Sequence, residues 1–221
     1  MPFVLLVVPS LFGGLSWNQP MSNDLPIYSD AGLRTRLQFT ALERLRGIDA
    51  GPVWEKSDEL IAKLEGAQNV RQAREQVQEV TKAGLLKMHS LMFTGALRQT
   101  SLAPLFRGQD CPDPEFIDRS LDNFFHWLTA ESMGEIHPIE RAALVLTRLV
   151  DIWPFDAGNL TSAIMLANIG LRQAGFAPFF VLPEHKKEFN TTVAQAMAIE
   201  MQPLVNAIYN CVRREMEALA P

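Results

Sequence analysis

Leu160-Thr161-Ser162-Ala163-Ile164-Met165-Leu166-Ala167-Asn168-Ile169-Gly170-Leu171-Arg172-Gln173 is the stretch that decides the fold. It is apolar on nearly every face and shows no strand-like alternation. A soluble helix of that kind has to be wrapped by others, so it is expected to be the central helix of an all-α domain, with Gly175 placed to stop it. Just upstream, Pro138 stands where a first-turn proline belongs. Ile139 to Val150 reads as a strong helix, Pro154 ends it, and Phe155 to Asn159 form a tight loop into the central helix.

Further upstream, Leu33, Leu37, Ala41 and Leu45 fall at four-residue spacing, which predicts a helix broken by Gly47 to Pro52. Trp54 to Leu64 reads as the next. The segment Val70 to Leu97 is long and periodic, with Val77, Val80, Leu85, Met88, Leu91 and Met92 sharing a stripe. Gly84 and Gly95 suggest an interruption in it. Thr100 to Pro114 is a Pro- and Gly-bearing loop, followed by a helix to Thr129 that is expected to bury Phe116, Leu121, Phe124, Phe125 and Leu128. Glu184 to Ala198 and Gln202 to Leu219 give the last two helices.

The 221 residues, 48% hydrophobic and 20% charged, suit one globular domain with a full core. A net charge of -5 and a pI near 5.4 argue against a nucleic-acid binder, which needs a basic face. Cys111 and Cys211 are too few and too far apart for a disulfide framework, and no Cys/His cluster suggests zinc. His89, His126, His137 and His185 are scattered, so each reads as structural or surface. The run Phe3-Val4-Leu5-Leu6-Val7-Val8 lacks the basic flank of a secretory signal and is too short to cross a membrane. Residues 1–21 therefore read first as an extension outside the domain, set by an early start codon. A weak signal or anchor, or an arm packed on the body, are the alternatives. The expected organisation is this extension, a helical region over 22–86, and a core over 87–221, in the cytoplasm and without membrane attachment.

The string Gly134-Glu135-Ile136-His137-Pro138-Ile139-Glu140-Arg141-Ala142-Ala143, then Asp151-Ile152-Trp153-Pro154-Phe155-Asp156-Ala157-Gly158-Asn159, then Leu166-Ala167-Asn168 and Arg172-Gln173-Ala174-Gly175-Phe176-Ala177-Pro178, resembles the heart of Fic/Doc (Fido) proteins. That family carries HPFx(D/E)GNGRxxR between two helices, then a buried helix and a Gly-aromatic-x-Pro stop. The resemblance extends upstream through Leu105-Phe106-Arg107 to about Lys87, and downstream through Phe189 and Pro203-Leu204-Val205. It implies a Fic-like helical bundle around Leu160–Gln173. It also implies descent from enzymes that transfer AMP from ATP, with Mg²⁺, to a Ser, Thr or Tyr hydroxyl of a target protein.

Against the family motif, Pro154, Phe155, Gly158 and Asn159 match. The general-base His falls on Trp153, the acidic metal ligand on Ala157 with Asp156 one place early, the second Gly on Leu160, and the two Arg on Thr161 and Ile164. Trp153 has only an N–H donor and cannot accept a proton; loss of a general base costs about 10²–10⁴ in rate. Ala157 cannot ligate a metal. AMP transfer of the family type is therefore not expected, nor is any resident cofactor or metal; ATP or another nucleotide with Mg²⁺ enters only with a residual activity. An altered mechanism using Asp156 as displaced base or ligand is the enzymatic alternative. Gly158, Asn159, Thr161 and Ser162 remain a candidate nucleotide or anion site at a helix start, although Thr161 and Ser162 also suit simple capping and packing. Trp153 is expected to fill the space left by the His.

Active members present a β-hairpin flap to their target. Here Arg107 is followed at once by Gly108-Gln109-Asp110-Cys111-Pro112-Asp113-Pro114, so the hairpin is expected to be short or absent. Many members also carry an inhibitory helix, (S/T)xxxE(G/N), whose Glu pairs with the second motif Arg. Glu65-Gly66 resembles it, but Ile61 stands at the Ser/Thr position and Ile164 removes the partner. Glu65 therefore reads as an ordinary solvated helix end. The resulting expectation is an inactive Fic-fold protein that binds a protein or a nucleotide, or acts as a regulator.

Overall fold

The computed structural model describes residues 39–93, 96–101 and 111–221, and residues 39–221 form one compact unit. Residues 39–43 are helical, and the part of the predicted Leu33–Leu45 helix before Phe39 lies outside the described residues. The helices that follow are α1 (Gly51–Glu65), α2 (Val70–Gln76), α3 (Lys82–Met92), α4 (Pro114–Leu128), α5 (Glu131–Glu135), α6 (Pro138–Ile152), α7 (Asn159–Gln173), α8 (Lys186–Met197) and α9 (Gln202–Glu217). Among the described residues the only β-type pairing is one antiparallel bridge, Leu97 to Phe155. The all-α reading holds.

The central helix is α7. From Asn159 to Leu171 every residue but Gly170 is buried, polar ones included. It lies along α6, and α1, α3 and more distant helices close around the pair. Wrapping has a cost at the polar positions, and Asn168 shows how it is met. Its side chain donates to Phe179 O at 2.9 Å and accepts from Phe179 N at 3.0 Å, pinning the return segment Phe176–Val181 against the helix.

Several boundaries shift for local reasons. The helix expected from Trp54 starts earlier, at Gly51, with Pro52 in its first turn, where a missing N–H costs nothing. Among the described residues the periodic stretch after Val70 is interrupted at residues 77–81 and not at Gly84, while Gly95 lies outside the described residues. Thr81 caps α3 by accepting from Gly84 N at 3.0 Å, and a side chain at Gly84 would press on Glu79 O at 2.7 Å. Gly84 is thus a requirement of the cap. The short α5 has no apolar periodicity of its own. Phe116, expected in the core, is 48% exposed in the first turn of α4. The boundary drawn at Lys87 falls inside α3.

The turn between α8 and α9 carries a strain. Glu200 N donates to Gln195 O and Ile199 N to Ala196 O, the paired bonds of a Schellman stop. Its left-handed position is normally glycine, yet here it is Ile199, at φ 74° and 95% exposed. A branched side chain in that region costs about 1–2 kcal/mol, and this one regains nothing by burial. Ile199→Gly should therefore raise the unfolding free energy by up to about 1 kcal/mol in urea titration, after the extra chain entropy of glycine is subtracted.

Candidate functional site

The site forms where α6 stops and α7 starts. Trp153 ends α6 in the left-handed region (φ 47°), its N–H still bonded to Leu149 O at 3.0 Å. Phe155 turns inward. Asn159 then clamps the turn from below: its Oδ1 accepts from Phe155 N at 2.9 Å and its Nδ2 donates to Phe155 O at 2.7 Å. Asp156 and Ala157 stand out in solvent. Gly158, at φ 73°, supplies the left-handed residue from which α7 departs.

Arg98 holds the turn from the side. It is fully buried. Its backbone N–H donates to Pro154 O at 2.9 Å and its Nε to Trp153 O at 2.8 Å. The other guanidinium nitrogens donate to Thr100 O at 2.8 Å and to Pro112 O. One cation thus ties both flanks of residues 102–110 to the turn through neutral carbonyls.

Beneath the turn lies His89. Its ring stacks on Phe155 with centroids 3.5 Å apart and planes 3° off parallel, and Phe93 lies 5.2 Å away on the same ring. Nδ1 is 3.2 Å from Ser162 Oγ. Burial pushes its pKa down to about 4, so the imidazole is neutral at physiological pH.

The start of α7 is occupied from within the chain. Its first N–H groups have no partner in their own helix. Thr161 N donates to Glu65 Oε2 at 2.7 Å, across 96 positions of sequence. Glu65 is the last residue of α1, whose C-terminus is closed by Gly66 in the left-handed region (φ 72°) and by Lys186 Nζ donating to Leu64 O at 2.9 Å. A carboxylate at a helix N-terminus also meets the positive end of the dipole. This overturns the expectation of an ordinary solvated helix end. The partner of Glu65 is a backbone N–H, which residue-type matching does not reveal.

The other candidate residues fall into place around this contact. Asn159 spends both ends of its amide on Phe155 and offers nothing to a ligand. Ser162 faces His89. Thr161 Oγ1 is buried without a hydrogen bond among the described residues. Ile164 is in the core. Asp156 makes no hydrogen bond or ion pair among the described residues. Trp153 is partly buried and packs against the core edge. The ring pressed on Gly158, however, is that of Phe93: a Cβ at Gly158 would overlap it. Sequence reading singled out neither Phe93, Arg98 nor the role of His89. The one available signal was His89 standing on the same apolar stripe as Leu85, Met88 and Met92. Arg107 and residues 108–110 of the predicted flap segment lie outside the described residues, and Pro114 already opens α4.

Residues 74–171 match the Fic/DOC family. The chain carries a Fic domain. It is related to protein adenylyltransferases: it is 32% identical over 107 residues to the protein adenylyltransferase Fic of Nematostella vectensis, covering 48% of this chain and 25% of that protein. The protein adenylyltransferase fic-1 of Caenorhabditis elegans is 29% identical over 138 residues, covering 59% and 27%. The chain thus spans about a quarter of the length of these curated relatives. Among solved structures, a Fic domain containing signaling protein from Bacteroides thetaiotaomicron aligns with a TM-score of 0.58 at 19% identity, over 68% of this chain and 67% of that one. Fic-1 from C. elegans aligns with a TM-score of 0.56 at 24% identity, over 74% and 48%. These likenesses extend to the fold. Glu65 lies outside the matched stretch of this Fic domain, on a helix that precedes it.

Two outcomes follow from this geometry. Because His89 in the unfolded chain titrates near 6.5 and in the folded chain near 4, unfolding takes up a proton between those values. Stability contributed by the neutral ring is full above about pH 6.5 and is lost as pH falls towards 4, by about 3 kcal/mol. Denaturant titrations at pH 7 and pH 4.5 should show the loss, and His89→Gln should remove most of that slope. Gly158→Ala should destabilise by about 2 kcal/mol or more, from positive φ and the Phe93 overlap together. In the double variant with Phe93→Ala the two losses should be clearly less than additive.

Proposed function

We propose that this Fic domain protein does not transfer AMP and serves instead as a binding or regulatory module. The observation that carries the reading is the 2.7 Å bond from Thr161 N to Glu65 Oε2, which seats an internal carboxylate on the helix start where a phosphate would need to sit. Three further features support it. Trp153 brings no basic nitrogen to the position of the family's base. Ala157 brings no metal ligand. Thr161 and Ile164 bring no cation for phosphates, and Ile164 has no exposure through which to act.

The enzymatic alternative gives Asp156 the work of a displaced base. Asp156 is exposed on the outer side of a turn whose inner side is closed by Asn159 and Phe93. A general base must lie within hydrogen-bond reach of the proton it removes, and a misplacement of about 1 Å already costs about 10² in rate. This arrangement supports the silent reading. The reading also takes the protein to be cytoplasmic, with its two cysteines left free. No described helix is long and apolar enough to cross a membrane.

Incubation with labelled ATP, Mg²⁺ and a cell lysate is expected to give no protein labelling above a heat-killed control, for the wild type and for Glu65→Gly alike. Labelling by either would sink the silent reading and return Asp156 to consideration. Glu65→Gly should nevertheless bind ATP or ADP more tightly than wild type in a thermal shift, because the carboxylate no longer competes. Restoring the motif wholesale is expected to fail at folding. Ile164→Arg places an unpaired charge in the core and should cost more than about 3 kcal/mol by urea titration.

A further inference from the structure

The C-terminal half of α7 departs from the rule that this helix is covered on all sides. Gly170 is its one incompletely buried residue before Arg172, and a Cβ added there would meet nothing within 4 Å. The space belongs to a groove of about 500 Å³ between α6, α7 and the chain turns before α3 and after α4. Its floor is apolar and made of short side chains: Ala142 and Val145 from α6, Leu166, Ala167 and Gly170 from α7. That volume lies within the range of small-molecule sites, about 300–1,000 Å³. The groove lies roughly 16 Å along the helix axis from Asn159, well away from the motif turn.

Among the described residues, most polar side chains around this floor are engaged; Arg141 and the exposed Glu79 are not. Arg46 Nε donates to Ala174 O at 2.5 Å, and its guanidinium lies 5.5 Å over Phe176. Gln173 Nε2 donates to Gln78 O at 2.9 Å, Thr129 Oγ1 to His126 O at 2.7 Å, and Thr81 Oγ1 accepts from Gly84 N. Arg141 lines the same groove, one residue before Ala142, and is partly buried. Its side chain makes no hydrogen bond, ion pair or ring contact among the described residues. A guanidinium withdrawn from water without an anion is unfavourable, and a bidentate carboxylate or sulfonate is the partner its fork fits. The acidic residue of the lining, Glu79, is exposed and makes no ion pair with Arg141.

We propose that this groove binds an amphipathic organic anion, an acyl or aryl body lying on Ala142, Val145, Ala167 and Gly170 with its carboxylate or sulfonate on Arg141. Binding is independent of nucleotide at the motif turn.

The probe is 8-anilinonaphthalene-1-sulfonate, titrated by fluorescence against the folded full chain, with decanoate and decan-1-ol as competitors. The wild type binds the probe saturably with one site. Decanoate displaces it, and decanol does so about tenfold more weakly or worse, since a charge-assisted bond to Arg141 is absent. Arg141→Gln weakens probe and decanoate by about tenfold or more and leaves decanol unchanged. Gly170→Leu fills the floor and abolishes binding; Ala142→Leu on the facing wall replaces it if that variant does not fold. No saturable binding by the wild type, wild-type affinity in either the charge or the filling variant, or competition by ATP with Mg²⁺ would each overturn the proposal.

Discussion

The structure depends on burying α7 on every side but one. A helix with an apolar periphery can be covered only if its few polar groups, and the orphan N–H groups of its first turn, find partners inside the protein. Asn159 and Asn168 meet that demand in the same way, each closing a two-bond ring on the backbone of a phenylalanine, Phe155 before the helix and Phe179 after it. Those two amides fix the chain's entry to and return from the core. Ser162 is met by His89 and the Thr161 N–H by Glu65. The motif turn and the distant end of α1 are therefore parts of one packing problem.

The same demand accounts for four residues of the turn. Pro154, Phe155, Gly158 and Asn159 are the residues that make the turn: a proline without a donor, an inward ring, a left-handed glycine and a clamping amide. Their requirements come from backbone geometry and burial, and hold whether or not chemistry follows. Trp153, Ala157, Leu160, Thr161 and Ile164, which do not match the family motif, serve helix termination, solvent exposure and core volume.

The order of the longer helices and the central place of α7 were legible because apolar periodicity reports burial directly, and the short α5 was missed because it has none. Asn159 was legible as a site residue but not as a clamp, since an amide's partner is a backbone group that sequence does not name. Glu65 was legible as a position and misread as a role for the same reason: the partner was sought among side chains, and it was the Thr161 N–H. Phe93 escaped because its significance lies in a close approach to Gly158 that only the folded chain creates. Phe116 shows the converse failure, an apolar residue in a first turn whose face α4 leaves open. Arg98 escaped because buried cations are usually sought beside carboxylates, whereas its described partners are carbonyls.

The Glu65 contact also sets the terms on which any outside anion meets this protein. A carboxylate held on the chain by Gly66 and Lys186 acts as a tethered ligand with a local concentration of its own, millimolar or higher for short tethers. Every visiting phosphate is thus a competitor, and its apparent affinity is its intrinsic one scaled by the fraction of molecules in which Glu65 has let go. Cellular occupancy of the turn then answers less to nucleotide supply than to whatever loosens the end of α1.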